Sequence, residues 1–179
     1  AETLRGHVVL ELACGPGYWT RVIAETADSV LATDINPEMI DLAKLRALPA
    51  DKVQFRVADA YNLPDDIGSF TAVFIGFWWS HVLRGEQERF LKALTKKLGK
   101  DVMLVLADDC YVEGSSETVA RTDLEGNTFQ IRIAPDGQRY EIQKLYPSDR
   151  GLRMKLASRV REIRIVRKEY YWMLTGRLK

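Results

Sequence analysis

The chain has 179 residues, with 26 Lys and Arg against 25 Asp and Glu, a formal charge of +1. Hydrophobic residues make up 46% and charged residues 28%, which excludes a disordered tail, a collagen-like rod and a strongly basic nucleic-acid coat protein. No apolar run approaches the roughly 20 residues of a membrane helix, and the first residues lack the charged-then-apolar pattern of a secretory leader. Two cysteines, Cys14 and Cys110, are too few for a disulfide framework or a zinc cage and read as free thiols of a cytoplasmic protein. The length fits one domain.

The chain opens without Met and reaches an apolar run by Val8, the pattern of a trimmed or processed chain. Val8–Leu12 stops at Ala13-Cys14-Gly15-Pro16-Gly17, a strand followed by a tight turn. Tyr18–Thr26 has helical composition. Val30–Thr33 stops at Asp34, and Pro37 then opens a helix at its first position, where a missing N–H costs nothing. Val53, Phe55 and Val57 alternate before Asp59, and Phe70–Ile75 stops at Gly76. Glu86–Leu98 reads as an amphipathic helix with Phe90, Leu91, Leu94 and Leu98 on one side. Val102–Ala107 stops at Asp108-Asp109.

Apolar runs without alternation predict strands covered on both faces. Their alternation with helices predicts a parallel sheet with right-handed crossovers. Ligands in such sheets sit beyond the carboxyl ends of the strands. Here those ends carry the glycine turn, Asp34, Asp59 and the 76–81 segment.

The pattern then changes. Thr128–Ala134 alternates, Asp136-Gly137 suits a hairpin turn, and Tyr140 and Ile142 continue the apolar face on the return. Residues 109–147 are predicted to form a hairpin flap. Ser148-Asp149 caps a helix predicted to reach about Val160, and Ile163–Ile165 and Tyr170–Leu174 read as two closing strands. Residues 150–179 hold ten Lys and Arg against two Glu, which leaves the preceding part at −7. That excess reads as a solvated face, with an RNA-contacting stripe as the alternative.

Glycines at 15 and 17 let backbone approach a ligand where a Cβ would collide. Asp34, 17 residues beyond Gly17, ends the next strand, where a carboxylate can accept two hydrogen bonds from a ribose diol. The dinucleotide spacing G-x-G-x-x-G is absent, since the segment reads A-C-G-P-G-Y. A nucleoside ligand without a pyrophosphate fits better.

Leu10–Gly17 (LELACGPG), Thr33-Asp34-Ile35-Asn36 and Ala58-Asp59-Ala60 together resemble the motifs of the class I S-adenosylmethionine-dependent methyltransferases. Gly76–Val82 is similar to the GFWxSHV segment of small bacterial members, and later segments through Tyr170–Leu174 extend the resemblance over nearly the whole chain. It implies a Rossmann-like, doubly wound α/β fold: a single domain over 1–179 with a mostly parallel seven-stranded sheet, order 3-2-1-4-5-7-6, and the flap inserted. Ala13 replaces the commoner first glycine, and the family's N-terminal cap helices are missing.

The resemblance also implies roles. Glu11 would organise the methionine ammonium, Asp34 the ribose, Asp59 the adenine amine and Ala60 a backbone amide beside it. Ala13, Cys14, Gly15, Gly17 and Trp19 would line the cofactor with Gly76 and Phe77, and Ile35 and Met39 would flank the adenine. S-adenosylmethionine would be the donor and S-adenosylhomocysteine the product.

A sulfonium methyl is already activated, so transfer is an in-line displacement that positioning can accelerate by about 7–11 kcal/mol. A base is needed only if the acceptor must lose a proton. His81 is the first candidate, because imidazole titrates near neutrality; it would otherwise orient substrate or hydrogen-bond a backbone carbonyl. Asp108 is the second. Trp78, Trp79, Tyr111, Arg132 and Tyr140 are the candidate acceptor-side residues. No His, Cys or Asp cluster has metal spacing. The reading is methyl transfer to a small molecule by a chain with no membrane partner, with a homo-oligomer left open. An RNA or protein methyltransferase and a non-catalytic cofactor-binding module are the alternatives.

Overall fold

The computed structural model describes residues 1–179. Five strands and three helices build the first part: β1 (Val8–Leu12), α1 (Tyr18–Ala24), β2 (Ser29–Asp34), α2 (Pro37–Lys44), β3 (Val53–Val57), β4 (Ala72–Gly76), α3 (Gln87–Leu98) and β5 (Met103–Asp109). A short excursion follows: β6 (Arg121–Thr122), β7 (Thr128–Ile133) and β8 (Arg139–Gln143). Helix α4 (Asp149–Leu156) leads into β9 (Val160–Arg167) and β10 (Tyr171–Leu178).

The main sheet has seven strands in the order β3-β2-β1-β4-β5-β10-β9. Once the three excursion strands are left out of the numbering, this is the predicted 3-2-1-4-5-7-6. Strands β1 to β5 pair in parallel and β10 pairs antiparallel with both β5 and β9. The excursion is a separate sheet, β6-β7-β8, so the flap has three strands rather than a bare hairpin.

Strand alternation divides the core into two layers. Leu10, Leu12, Val73, Ile75, Leu104 and Leu106 face Phe90, Leu91 and Leu94 of α3 and Leu152 and Leu156 of α4. Val9, Val30, Ala32, Phe74 and Val105 face Ile23 and Ala24 of α1 and Ile40 of α2. Glu11 shares the period of Val9, which turns a carboxylate into the α1 layer.

Local chemistry explains the helix starts. Asn36 Oδ1 accepts from Glu38 N at 2.9 Å ahead of Pro37, and Ser148 Oγ accepts from Gly151 N at 3.1 Å. The second helix corrects the sequence expectation. It ends at Leu156, and Val160 opens β9 instead of closing the helical stripe. The Val160 side chain still joins the same core layer, so its apolar character carried no information about which element it belonged to.

Candidate functional site

The carboxyl ends of β1 to β5 form one rim. The turn after β1 is built on left-handed backbone at Ala13 (φ 53°), Gly15 (φ 53°) and Gly17 (φ 75°). The two glycines differ in why they are glycine. Nothing lies within 4 Å of the place a Gly15 Cβ would occupy, whereas a Gly17 Cβ would stand 3.0 Å from Ala43 Cβ of α2. Gly15 therefore leaves open space over the loop, as a close-approach position should. Gly17 is buried, and its lack of a Cβ makes room for Ala43 of α2.

Asp34 ties the first two strand ends together. Its Oδ2 accepts from Gly15 N at 2.8 Å and its Oδ1 from Asn36 N at 2.9 Å. The Asp34 carbonyl accepts from Ala58 N at 2.9 Å, which draws in the end of β3. Asp59 Oδ1 accepts from Tyr61 N at 2.8 Å. Ala60 follows it, half-buried against the α3 layer. Two apolar side chains stand in water beside these carboxylates, Ile35 at 66% exposed and Val57 at 50%. Met39 is half-buried on the first turn of α2. Val57 was passed over in the sequence because it completed a strand alternation.

Glu11 is 2% exposed, and its Oε2 accepts from the Thr20 hydroxyl of α1 at 2.6 Å. Burial pushes its carboxyl up to about 8, against a smaller lowering by Thr20. Cys14 is buried beside it, and burial together with the Glu11 and Asp34 charges pushes the thiol above its ordinary range, away from the thiolate form a nucleophile needs.

Beyond β4, a Gly76 Cβ would stand 2.7 Å from the Phe74 ring. Phe77 takes left-handed backbone (φ 58°) and donates its N–H to Ala107 O at 2.7 Å. Its ring stacks on Trp19 at 5.5 Å and 11°. The next two aromatics turn away. Trp78 packs between Tyr61 and Phe90, and Trp79 is 1% exposed against Phe90 in the α3 layer. Trp79 thus packs mainly as core, and its remaining edge lines a groove with Arg84, Leu145 and Tyr146.

A polar corner joins β5 to the flap. Asp108 is 0% exposed. It accepts from Ser80 N at 2.8 Å, Ser80 Oγ at 2.9 Å, Asp109 N at 2.9 Å and Lys144 Nζ at 3.1 Å. Enclosed in this way it presents no oxygen at the surface, which argues against the base role considered from the sequence. His81 donates Nδ1–H to the Gln143 carbonyl at 2.7 Å, because a carbonyl can only accept. Nε2 is left as the free ring nitrogen. Burial, and then the nearby Lys144 ammonium, hold His81 below the ordinary imidazole range.

A cavity of 260 Å³ opens beside this corner, lined by Asp109, Lys144, Arg132, Gln130, Tyr146 and Tyr170 among others. Of the candidate acceptor-side residues, only Arg132 lines it. Tyr111 packs edge-on against Tyr146 at 5.3 Å. Tyr140 stands in solvent and donates to Gln138 Oε1 at 2.7 Å. Lys144, Gln130 and Tyr146 escaped the sequence reading, since nothing local marks them. The basic C-terminal region is largely engaged: Arg159, Arg161, Arg167 and Arg177 form ion pairs, and Arg153 and Lys179 donate to backbone carbonyls. No helix is long and apolar enough to cross a membrane.

Sheet order, glycine turn and acidic rim define a class I S-adenosylmethionine-dependent methyltransferase fold. A family model described as "Methyltransferase domain" matches residues 9–101, and the chain belongs to that family. It is 32% identical over 103 residues to a demethylmenaquinone methyltransferase of Clavibacter sepedonicus, covering 58% of this chain and 41% of that one. It is 40% identical over 60 residues to a magnesium-protoporphyrin O-methyltransferase of Rhodobacter capsulatus, 32% of this chain and 27% of that one. The chain thus spans well under half the length of these curated relatives. Among solved structures, a DhpI–SAH complex superposes with a TM-score of 0.76 at 29% identity, covering 98% of this chain and 78% of that one. A DhpI–SAM–HEP complex gives 0.75 at 27%, covering 98% and 80%.

Proposed function

We propose that this chain binds S-adenosylmethionine along the rim and transfers its methyl group to a small, polar acceptor held beside the flap, leaving S-adenosylhomocysteine. The observation that carries this reading is the Asp34 carboxylate joined to the Gly15 amide at 2.8 Å under open space. That contact makes one continuous site of the first two strand ends. The residues fit the ligand in other respects. A carboxylate has about four lone-pair positions, so Asp34 keeps acceptor capacity for a ribose diol after serving two amides. Asp59 Oδ2 is free for an exocyclic amine. Ile35 and Val57, both exposed, would gain cover from an adenine ring. Glu11 lies behind the loop as a counter-charge for an ammonium.

When bound, the sulfonium supplies a methyl group already activated for displacement. The chain's own residues then have three tasks. The rim orients, the Trp19–Phe77 stack walls the end of β4, and His81 Nε2 receives a proton where the acceptor's attacking atom carries one. Positioning supplies most of the acceleration, up to about 7–11 kcal/mol.

The acceptor's size follows from the flap cavity. Its 260 Å³ lies just below the roughly 300–1,000 Å³ of drug-sized small-molecule sites, and most of its lining side chains are polar. Demethylmenaquinone and magnesium-protoporphyrin, the compounds in the two relatives' names, are larger than this space.

Calorimetric titration of S-adenosylhomocysteine into the wild-type chain and Asp34→Ala tests the reading. The substitution should weaken binding by about 1–3 kcal/mol, roughly 5- to 150-fold, with the fold intact by circular dichroism. No heat from the wild type, or unchanged affinity in a folded Asp34→Ala, would overturn it. Binding without turnover on any acceptor would favour a non-catalytic module.

A further inference from the structure

The flap holds one charged side chain in the interior. Lys144 follows β8, is 4% exposed, and its ammonium lies 3.1 Å from Asp108 Oδ1 and 2.7 Å from Asp109 Oδ2. Its backbone is fixed on the other side, with Lys144 N donating to Thr128 O at 2.9 Å and the Thr128 hydroxyl donating back to Lys144 O. The two residues flanking Lys144 both reach the segment after β4. Gln143 O accepts from His81 Nδ1 at 2.7 Å, and Leu145 N donates to Ser80 O at 2.9 Å. Ser80 closes the ring by donating twice to Asp108.

A buried ion pair of this kind is a poor device for stability, since desolvating both charges offsets most of their attraction. Its geometry has a more specific consequence. We infer that Lys144 is a positioning residue for His81: by clamping residues 143–145 onto the carboxylates of β5, it holds the Gln143 carbonyl where only the Nδ1–H tautomer fits, and so presents Nε2 as the bare basic atom. This rests on the reading of His81 as the base of methyl transfer.

The surrounding charges act in the same sense. Lys144 and Arg132 face the imidazole as cations and disfavour its protonated form, while Asp108 favours it. Lys144 is the larger of the two cationic influences, so the clamp also keeps the ring neutral.

Nuclear magnetic resonance of the ¹⁵N-histidine-labelled chain tests this without an acceptor. The chain has 2 histidines, and His81→Gln assigns the second signal. The wild type should show His81 as the Nδ1–H tautomer, titrating below a free imidazole. In Lys144→Met the tautomer preference should collapse toward the Nε2–H form usual in solution, and the titration midpoint should rise. If Lys144→Met does not fold, Asp108→Asn/Lys144→Met removes the uncompensated carboxylate and should give the same change of tautomer, with a smaller rise in the midpoint because the Asp108 charge that favours the protonated ring is lost as well. An Nε2–H tautomer in the wild type, or a wild-type tautomer and midpoint in a folded variant, would overturn the inference. S-adenosylhomocysteine binding to the same wild-type sample reports on the methyltransferase reading separately, because His81 titrates whether or not that ligand binds.

Discussion

Two buried carboxylates stand near the rim, one on the central strand β1 and one on β5 beside the flap, and they are handled in opposite ways. Glu11, at the nucleoside end, is 2% exposed with a single donor, the Thr20 hydroxyl. Asp108, at the flap end, is 0% exposed with four donors, one of them the Lys144 ammonium. A buried carboxyl without a counter-charge can reduce its cost by holding a proton; one with a cation and three further donors can remain charged. The first arrangement leaves a group that a nearby cation would ionise. The second leaves a finished internal structure that shapes its surroundings. A functional role for Glu11 would therefore be direct, and one for Asp108 would pass through His81.

The sharpest way to break this contrast is to remove the Asp108 partner. Lys144→Met leaves Asp108 buried beside an apolar side chain and should cost about 3–5 kcal/mol, a fall in Tm of roughly 6–20 °C for a chain of this size. Asp108→Asn/Lys144→Met should recover most of that loss, because an amide needs no counter-charge. Thermal melts of the two variants check it. If the double variant melts as low as the single one, the penalty comes from lost packing and the charge argument for this corner fails.

Glu11 predicts a pH dependence of the opposite origin. Its carboxyl is raised from an ordinary 4.5 to about 8, so the folded state binds a proton that the unfolded state has released. Stability from this group is fully present below about 4.5 and is lost as pH rises toward 8, by up to about 1.4 kcal/mol per pH unit. Urea unfolding at pH 5, 6, 7 and 8 should show this decline in the wild type and a flatter profile in Glu11→Gln. A ligand bearing an ammonium should draw the proton off. Titration of S-adenosylhomocysteine at neutral pH in buffers of different ionisation enthalpy should then report proton release, and Glu11→Gln should abolish it. Proton-neutral binding by the wild type would separate Glu11 from the ligand's cation.

The same contrast separates what was legible in the sequence from what was not. Asp34, the glycine turn and the Pro37 helix start were legible because each is a local device, fixed by residues within a few positions. The sheet order followed from strand and helix alternation together with the family resemblance. Gly17 was legible as a glycine but not in its purpose, since the atom that forbids a Cβ belongs to Ala43 on another helix. The run Phe77-Trp78-Trp79 announced aromatic surface without saying which ring faces which way; a short helical turn over Trp79–His81 decides that. Lys144 had no signal at all. It is an ordinary lysine after an amphipathic strand, and its partners Asp108 and Asp109 lie 36 and 35 positions earlier.

Ala13 gives the smallest and most local test. At φ 53° it carries a Cβ in backbone that costs an L-residue roughly 1–2 kcal/mol. Two outcomes of Ala13→Gly distinguish why the alanine is there. If the strain is only tolerated, glycine should relieve it and raise stability by up to about 1 kcal/mol, after its greater unfolded-state freedom is subtracted, with S-adenosylhomocysteine affinity unchanged. If the methyl group stiffens the loop that presents the Gly15 amide to Asp34, the gain in stability should come with weaker ligand binding, because the ordering of that loop would then have to occur on association. Melts and calorimetry on one variant decide between them, and the second outcome would extend the role of the nucleoside end from recognition to preorganisation.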